Sequence, residues 1–589
     1  MNLSKTRNSL YYLVIVIVFA NLLFFINLGE KGLWSSQEAR NAIAAKTMLN
    51  GTFADWIVPT IEGQRSTQKP ILYHWLVNLS CIAGGEVSPF FVRLPSVFCG
   101  LICAFYLFYL GQKLLSPKTG FLAAIILVTC IKFLHMSRTS RIDILLTVCL
   151  TICLGELLLF YLNGKLRHLY AGYFFSGLSF LSKGPIGIIL PVIILTIFLL
   201  LKKDTGAIKK FLRPEAICFL LFTLIPYILL VLKITHGSFF EDFILKHNFE
   251  RFLGAQGTFG KRKPLWFYIP HFLTGTMPWA FFIPLLTIYL RWHLTSKHPR
   301  ETLSDTSAHC KTVHLFFTLV IGVIFTFFSL SSFKRSDYIL PVFPAFSLLL
   351  GQCLTDEKFL GKKLNWIKGV MYVLTGIFLV CFPSAYIANY FKIYPTLCTC
   401  PFFQKYFNEN DMTMIYSSFN YFDENKLSIF AVLLINIILS ISLLLSKSTV
   451  KRILVSYVIC FSSMYFFYYL NIEAALDKYC NLEPFSEKIK KIASPKQIVF
   501  FNGWNHSIAF YINPEIRAIT TNDELIECAR EKQLYYFITS PDTMNRLPSE
   551  IEKNAVVVLR TEPYLRNDFV LAKYCPSQDG YKSLTSGVE

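Results

Sequence analysis

Apolar runs close to the length a helix needs to cross a bilayer recur along this chain from its first residues to position 471. They fall at 9–28, 94–115, 119–136, 144–162, 169–181, 185–201, 214–233, 267–290, 313–332, 338–354, 366–388, 427–446 and 453–471, about thirteen once tilt and short members are allowed. Backbone in lipid must satisfy its own hydrogen bonds, so the runs predict an all-α transmembrane bundle. Only 16% of the 589 residues are charged and 54% are hydrophobic, whereas soluble chains carry roughly a quarter charged residues. That balance excludes a cytosolic enzyme, a disordered scaffold, a disulfide-knotted miniprotein and a collagen-like rod.

The formal charge of +20 would point to nucleic acid in a soluble protein. Here Lys and Arg cluster in short runs between apolar segments, which is a topology signal and implies no nucleic-acid partner. Lys5 and Arg7 precede the first run and no small-residue cleavage site follows it, so it reads as a retained helix with its N-terminus in the cytoplasm. Lys202 through Arg213, Arg291 through Lys311 and Lys358 through Lys368 then lie inside. Lys69, Arg138, Arg141, Arg251, Lys261, Arg262, Lys263, Lys334 and Arg335 fall on the outer side, as a basic surface at one mouth of the bundle.

The reading divides the chain into a membrane domain, 1–474, with outer loops 29–92 and 234–266, and an extracytoplasmic α/β domain, 475–589. In the tail, β-branched and aromatic runs at 497–501, 515–519 and 534–539 alternate with helix-like stretches at 504–511 and 522–532. Most of the sixteen cysteines sit in apolar runs as small hydrophobes; Cys398, Cys400, Cys480, Cys528 and Cys575 are the candidates for disulfides. No Cys/His spacing suits zinc, and no GxxxxGK, GxSxG or HExxH motif occurs.

Charged residues converge on one membrane boundary from four segments: Gly32–Leu76, Ser137–Asp143, His247–Pro270 and Ser331–Pro341. Each also has an ordinary reading. Glu38 and Asp143 suit helix first turns, Lys69 and Lys334 suit interfacial anchors, and Arg251 suits an ion pair with Glu250. Lys183 reads as a loop residue, and His506 as structural.

The motifs in order are WSSQEAR from Trp34, MLNG with DWIVP, QKPILYHW, RLPSVFCG from Arg93, LSKGPIGIILP from Leu181, NFERF from Asn248, PLWFYIP, and KRSDYILPVFP from Lys334. Together they resemble the polytopic lipid-linked glycosyltransferases of GT-C type, similar to aminoarabinose transferase and protein O-mannosyltransferase, strongly over residues 10–350. The resemblance implies a bundle in the inner membrane that takes a sugar from a polyprenyl-phosphate donor and gives it to a lipid, lipid A-like, or protein acceptor on the outer side. It implies Glu38 and Asp143 as catalytic carboxylates, Lys69, Arg251 and Lys334 as donor-phosphate ligands, and Arg40 and Tyr338 as further site residues.

The family's first-loop Asp is Gln37 here, and Gln68 stands where Glu often precedes the Lys-Pro pair. The chemistry needs cations where charge develops on the leaving phosphate and a base near the acceptor. Glutamine cannot be that base, so Glu38 or Asp143 must serve, or the acceptor must arrive as a phosphate. No cofactor is implied, and the sequence supports no divalent metal. Two alternatives remain at this level: a lipid-phosphate transporter or flippase, and a non-catalytic polyprenyl-phosphate-binding relative motivated by Gln37.

Overall fold

In the computed structural model the described residues are 3–239, 241–243, 245, 250, 263–295, 305–361, 369, 434, 438, 450–531, 535–562, 565 and 568–575. The first twelve helices are α1 (Leu3–Phe25), α2 (Ser36–Asn50), α3 (Phe53–Ile57), α4 (Leu72–Gly84), α5 (Pro89–Leu114), α6 (Pro117–Thr129), α7 (Ile131–Ser137), α8 (Ile142–Asn163), α9 (Leu166–Lys183), α10 (Ile186–Lys202), α11 (Gly206–Phe211) and α12 (Pro214–Thr235). Later apolar helices are Tyr268–Gly275, Ile283–Thr295, Asp305–Leu330, Val342–Cys353 and Val450–Phe467.

Eleven of the thirteen expected spans fall on these helices; 366–388 and 427–446 lie outside the described residues. Six helices are long and apolar enough to cross a membrane, eight if two bent pairs each count as one span. The α10 and Val342–Cys353 helices are apolar but shorter. The chain is a multi-pass membrane protein, with six to eight full spans within the described residues. Burial sorts the spans: α8 is apolar on every face and almost wholly enclosed, while α1 and α12 turn most of their surface outward toward lipid.

Broken helices need local repair at membrane depth, and the two bent pairs repair each other. The α6–α7 pair bends by 73°, and the pair 265–275 with 279–294 by 108°. Ile131 N–H donates to Met277 O at 3.0 Å, Trp279 Nε1 to Thr129 Oγ1 at 2.8 Å, Tyr465 OH to Thr129 O at 2.7 Å, and Tyr457 OH to Pro278 O at 2.7 Å. Groups freed by the breaks are therefore satisfied by the other break and by the tyrosines of the helix Val450–Phe467, as a water-free interior requires. In α5, Pro95 supplies no N–H to the Phe91 carbonyl, and Ser80 Oγ of α4 donates to it instead.

The first loop is itself folded. Ser35 caps α2, Thr52 and Asp55 form a capping box on α3, and strands β1 (Thr60–Ile61) and β2 (Gln64–Arg65) close a hairpin over Glu62 and Gly63, both with positive φ. Arg93 of α5 fastens the stretch leading into α2. Its Nη1 donates to Leu28 O and Lys31 O at 2.8 and 2.9 Å, its Nη2 to Gly32 O at 2.7 Å, and its Nε to Glu38 Oε1 at 2.9 Å.

The C-terminal unit is α/β. Strands β3 (Ile498–Phe501), β4 (Arg517–Ile519), β5 (Tyr536–Thr539), β6 (Ala555–Arg560) and β7 (Val570–Tyr574) order as β4-β3-β5-β7-β6, parallel through β5 and antiparallel beyond it. The helix Glu473–Cys480 runs across position 474/475, and its Glu473 and Asp477 both reach back to the first loop. Lys31 Nζ pairs with Glu473 at 2.7 Å, and Asp477 accepts from Gly32 N–H and Trp34 Nε1. The helix His506–Ile512 docks on α2, where Lys46 Nζ donates to Phe510 O and Ser507 Oγ to Leu33 O. Cys528 and Cys575 are free thiols, Cys480 is buried at the end of its helix, and Cys398 and Cys400 lie outside the described residues.

Candidate active site

Glu38 and Gln37 are neighbours at the start of α2, and the helix turns them to different surroundings. Glu38 is fully enclosed: Oε1 accepts from Arg93 Nε at 2.9 Å and from Ser140 N–H at 3.0 Å. Burial alone would push its carboxyl up, but the Arg93 guanidinium, with Lys31, overrides this and holds it at about 2. Gln37 faces the other way, and its Oε1 accepts from Lys69 Nζ at 2.9 Å.

Lys69 lies in a bend just before Pro70 and α4, and its ammonium reaches back to Gln37 of α2. Burial, reinforced by the charges of Arg40, Arg335 and Lys183, lowers its pKa to about 7; Asp143 opposes this only partly. A cavity beside it is lined by Arg40, Asn41, Ser66, Gln68, Lys69 and His74. Arg40 Nη2 donates to Ser66 Oγ at 3.2 Å, and Asn41 Nδ2 is spent on Ser140. Buried His74, in the first turn of α4, is pushed down to about 3 by desolvation and by the charges of Lys69 and Arg40.

The next layer comes from distant segments. Asp143, in the first turn of α8, forms an ion pair with Lys183 at the end of α9, and Lys183 Nζ stands 4.0 Å from the centre of the Tyr338 ring. Asp337 is bound by Lys132, by Arg335 at 3.3 Å and by Arg141 at 3.8 Å. Burial would raise its carboxyl, but Lys132, Arg141 and Arg335 hold it well below the usual carboxylate range. Arg141 Nη2 also donates to Ser35 Oγ, the cap of α2, at 2.9 Å. Lys69, Lys132, Arg141, Lys183 and Arg335 thus gather around two carboxylates, Asp143 and Asp337, and Arg40 lies between Lys69 and a third, Glu62.

Among the residues expected from sequence, the structure brings Gln37, Lys69 and Arg40 together, with Asp143 close enough to act on Lys69 and Tyr338 joined through Lys183. Glu38 lies behind them in a saturated pocket. Lys334 is buried, and its ammonium is taken up by the Ser331 and Lys263 carbonyls. Arg251 lies outside the described residues. Sequence reasoning passed over Lys183, Lys132, Asp337 and His74. The signal for Lys183 was a cation at the end of an apolar helix just before Gly-Pro, where an acid on another helix is its natural partner. Among the described residues, no group of three His, Cys, Asp or Glu is placed to hold a metal ion.

Residues 68–230 match the family described as dolichyl-phosphate-mannose-protein mannosyltransferase. The undecaprenyl phosphate-alpha-4-amino-4-deoxy-L-arabinose arabinosyl transferase of Shewanella sediminis is 28% identical over 347 residues, 58% of this chain and 59% of that protein. Its counterpart from Pectobacterium atrosepticum is 29% identical over 354 residues, 59% of this chain and 60% of that protein. The chain therefore spans about three fifths of the length of these curated relatives. The crystal structure of ArnT from Cupriavidus metallidurans bound to undecaprenyl phosphate superposes with a TM-score of 0.72 at 18% identity, covering 95% of this chain and 97% of that one. In fold over nearly its whole length, and in sequence over 58% of it, the chain is similar to the aminoarabinose transferases, polytopic lipid-linked glycosyltransferases of the GT-C type.

Proposed function

We propose that the chain is an integral membrane glycosyltransferase that moves a sugar from a polyprenyl-phosphate donor to a lipid or protein acceptor on the outer side of the inner membrane. The observation that carries the reading is the partly buried ammonium of Lys69, held by a neutral amide in a cluster of six cations and three carboxylates. Such an excess of positive charge among the described residues suits the phosphate of a lipid carrier. Lys69 and Arg251 bind that phosphate in this reading, Arg40 lines its cavity, and Lys183 adds charge. Asp143 orients Lys183, and Tyr338 packs over the same ammonium. Lys334 shapes the loop that carries Tyr338, and Glu38 is the anchor of α2.

The same reading sets the N-terminus in the cytoplasm and the α/β unit outside, with the division near 474/475 and the loops 29–92 and 234–266 forming the mouth. The relatives named above act on an undecaprenyl-phosphate-linked aminoarabinose, which makes that donor the first to try. Gln37 on Lys69 favours one second reading, a carrier-binding relative without transfer. Mass spectrometry of envelope lipids and glycoproteins from cells with and without the gene tests the proposal. A sugar-bearing lipid or protein lost with the gene supports transfer, and unchanged profiles with retained carrier binding support the second reading.

A further inference from the structure

Single-displacement transfer to a hydroxyl acceptor requires a group that takes its proton, and none of the expected carboxylates in the described site is free to do it. Glu38 is committed to Arg93 and the Ser140 N–H, Asp143 to Lys183, and position 37 carries an amide. The cavity beside Lys69 has one side chain of the right chemistry. His74 lines it together with Arg40 and Lys69, is 5% exposed, and its Nδ1 has no hydrogen-bond partner among the described residues. A buried ring nitrogen left unpaired is a standing cost that a bound O–H group would relieve. Burial first, and then the charges of Lys69 and Arg40, keep the imidazole neutral, which leaves a ring nitrogen able to accept.

We propose that His74 is the proton acceptor of this site, replacing the carboxylate that the family carries at the position of Gln37. The inference rests on the transferase reading. The acceptor oxygen bonds to the anomeric carbon of the sugar as that carbon's bond to the lipid phosphate breaks. The phosphate leaves with the bonding electron pair, its new charge matched by Lys69. The acceptor's proton passes to the His74 imidazole, and the imidazolium so formed sits beside a dianionic phosphate until it returns the proton to water.

The test is turnover in proteoliposomes, with undecaprenyl-phosphate-linked 4-amino-4-deoxy-arabinose as donor and dephosphorylated lipid A, which offers only hydroxyl oxygens, as acceptor, alongside direct binding of undecaprenyl phosphate. His74→Gln should lower kcat ~10²-fold, the range for losing a general base, with carrier affinity unchanged. Adding Gln37→Asp to that variant should restore at least about tenfold, a rescue that a purely structural histidine would not permit. Should His74→Gln insert poorly, His74→Glu, which keeps a proton acceptor, is compared with His74→Leu, and faster transfer by the glutamate is expected. Unchanged kcat in His74→Gln, or no rescue by Gln37→Asp, overturns the assignment of His74 alone. A wild-type protein that neither binds the carrier nor transfers overturns the transferase reading with it.

Discussion

Two buried charge clusters share the first loop and differ in their balance. Around Glu38, the cations Arg93, Lys31 and Arg138 meet two carboxylates, Glu38 and Glu473, and the Nη donors of the two arginines also reach the carbonyls of Leu23, Phe24, Ile26, Leu28, Lys31 and Gly32. Around Lys69, six cations share three carboxylates, Asp143, Asp337 and Glu62, and Lys69 itself rests on an amide. The first cluster pairs each carboxylate with its own cations and ties α1, α2, α5 and the helix Glu473–Cys480 together. In the second, Lys69 rests on a neutral amide, which suits an anion supplied from outside. The pairing of charges, more than burial, separates a fastening from a binding site here.

The sharpest way to break the comparison is to remove one member of each cluster. Arg93→Ala strands a buried carboxylate and three carbonyls, and should cost ~3–5 kcal/mol or abolish insertion, as for any buried pair cut on one side. Thermal unfolding in detergent measures it. Lys69→Met should do the reverse: no loss of stability, but loss of undecaprenyl phosphate binding and a fall in turnover of ~10²-fold or more, since a charge facing developing phosphate charge is removed.

Proton linkage sharpens the contrast. Lys69 titrates near 7 in the folded chain against 10.5 as its ordinary value. Its lowered value makes stability rise with pH across that window, and the penalty is fully present below pH 7. Lys69→Met should therefore raise Tm most at or below pH 7. A bound phosphate holds the ammonium charged, so carrier affinity should be full below pH 7 and decline as pH rises above it. Calorimetric titration across pH 6 to 9 checks the slope, and Lys69→Arg should flatten it.

Glu38 shows the opposite sign. Its folded value of about 2 lies below the ordinary 4.5. The stability it contributes is present above pH 4.5 and is lost as pH falls toward 2. Glu38→Gln should flatten the acid limb of the unfolding curve. The effect on transfer should be the smallest in the series, because the side chain lies behind the site.

Much of this contrast was not visible in the order of residues. The spans were legible because lipid imposes both length and composition, and eleven of the thirteen runs are helical. The first-loop motif placed Gln37, Arg40 and Lys69 near one another, since a helix start and a Lys-Pro corner are local features. Glu38 and Arg93 are 55 residues apart and meet only through the packing of α2 on α5; both then look functional or both ordinary. Lys183 acquires meaning only once α8 and α9 are paired and Asp143 is opposite it. In the tail, β3, β4 and β5 were anticipated, whereas β6 and β7 were not. β6 exposes Val556, Val557 and Val558 in succession, with none of the alternation that marks a half-buried strand.

The central claim is that the Lys69 cluster takes a lipid phosphate, and binding of undecaprenyl phosphate to wild type and Lys69→Met, read together with Tm, tests it most directly. The account predicts saturable binding that raises the Tm of wild type, and a Lys69→Met protein that is folded, at least as stable when empty, and unresponsive to the lipid. A Lys69→Met protein that binds and is stabilised as wild type is would contradict it.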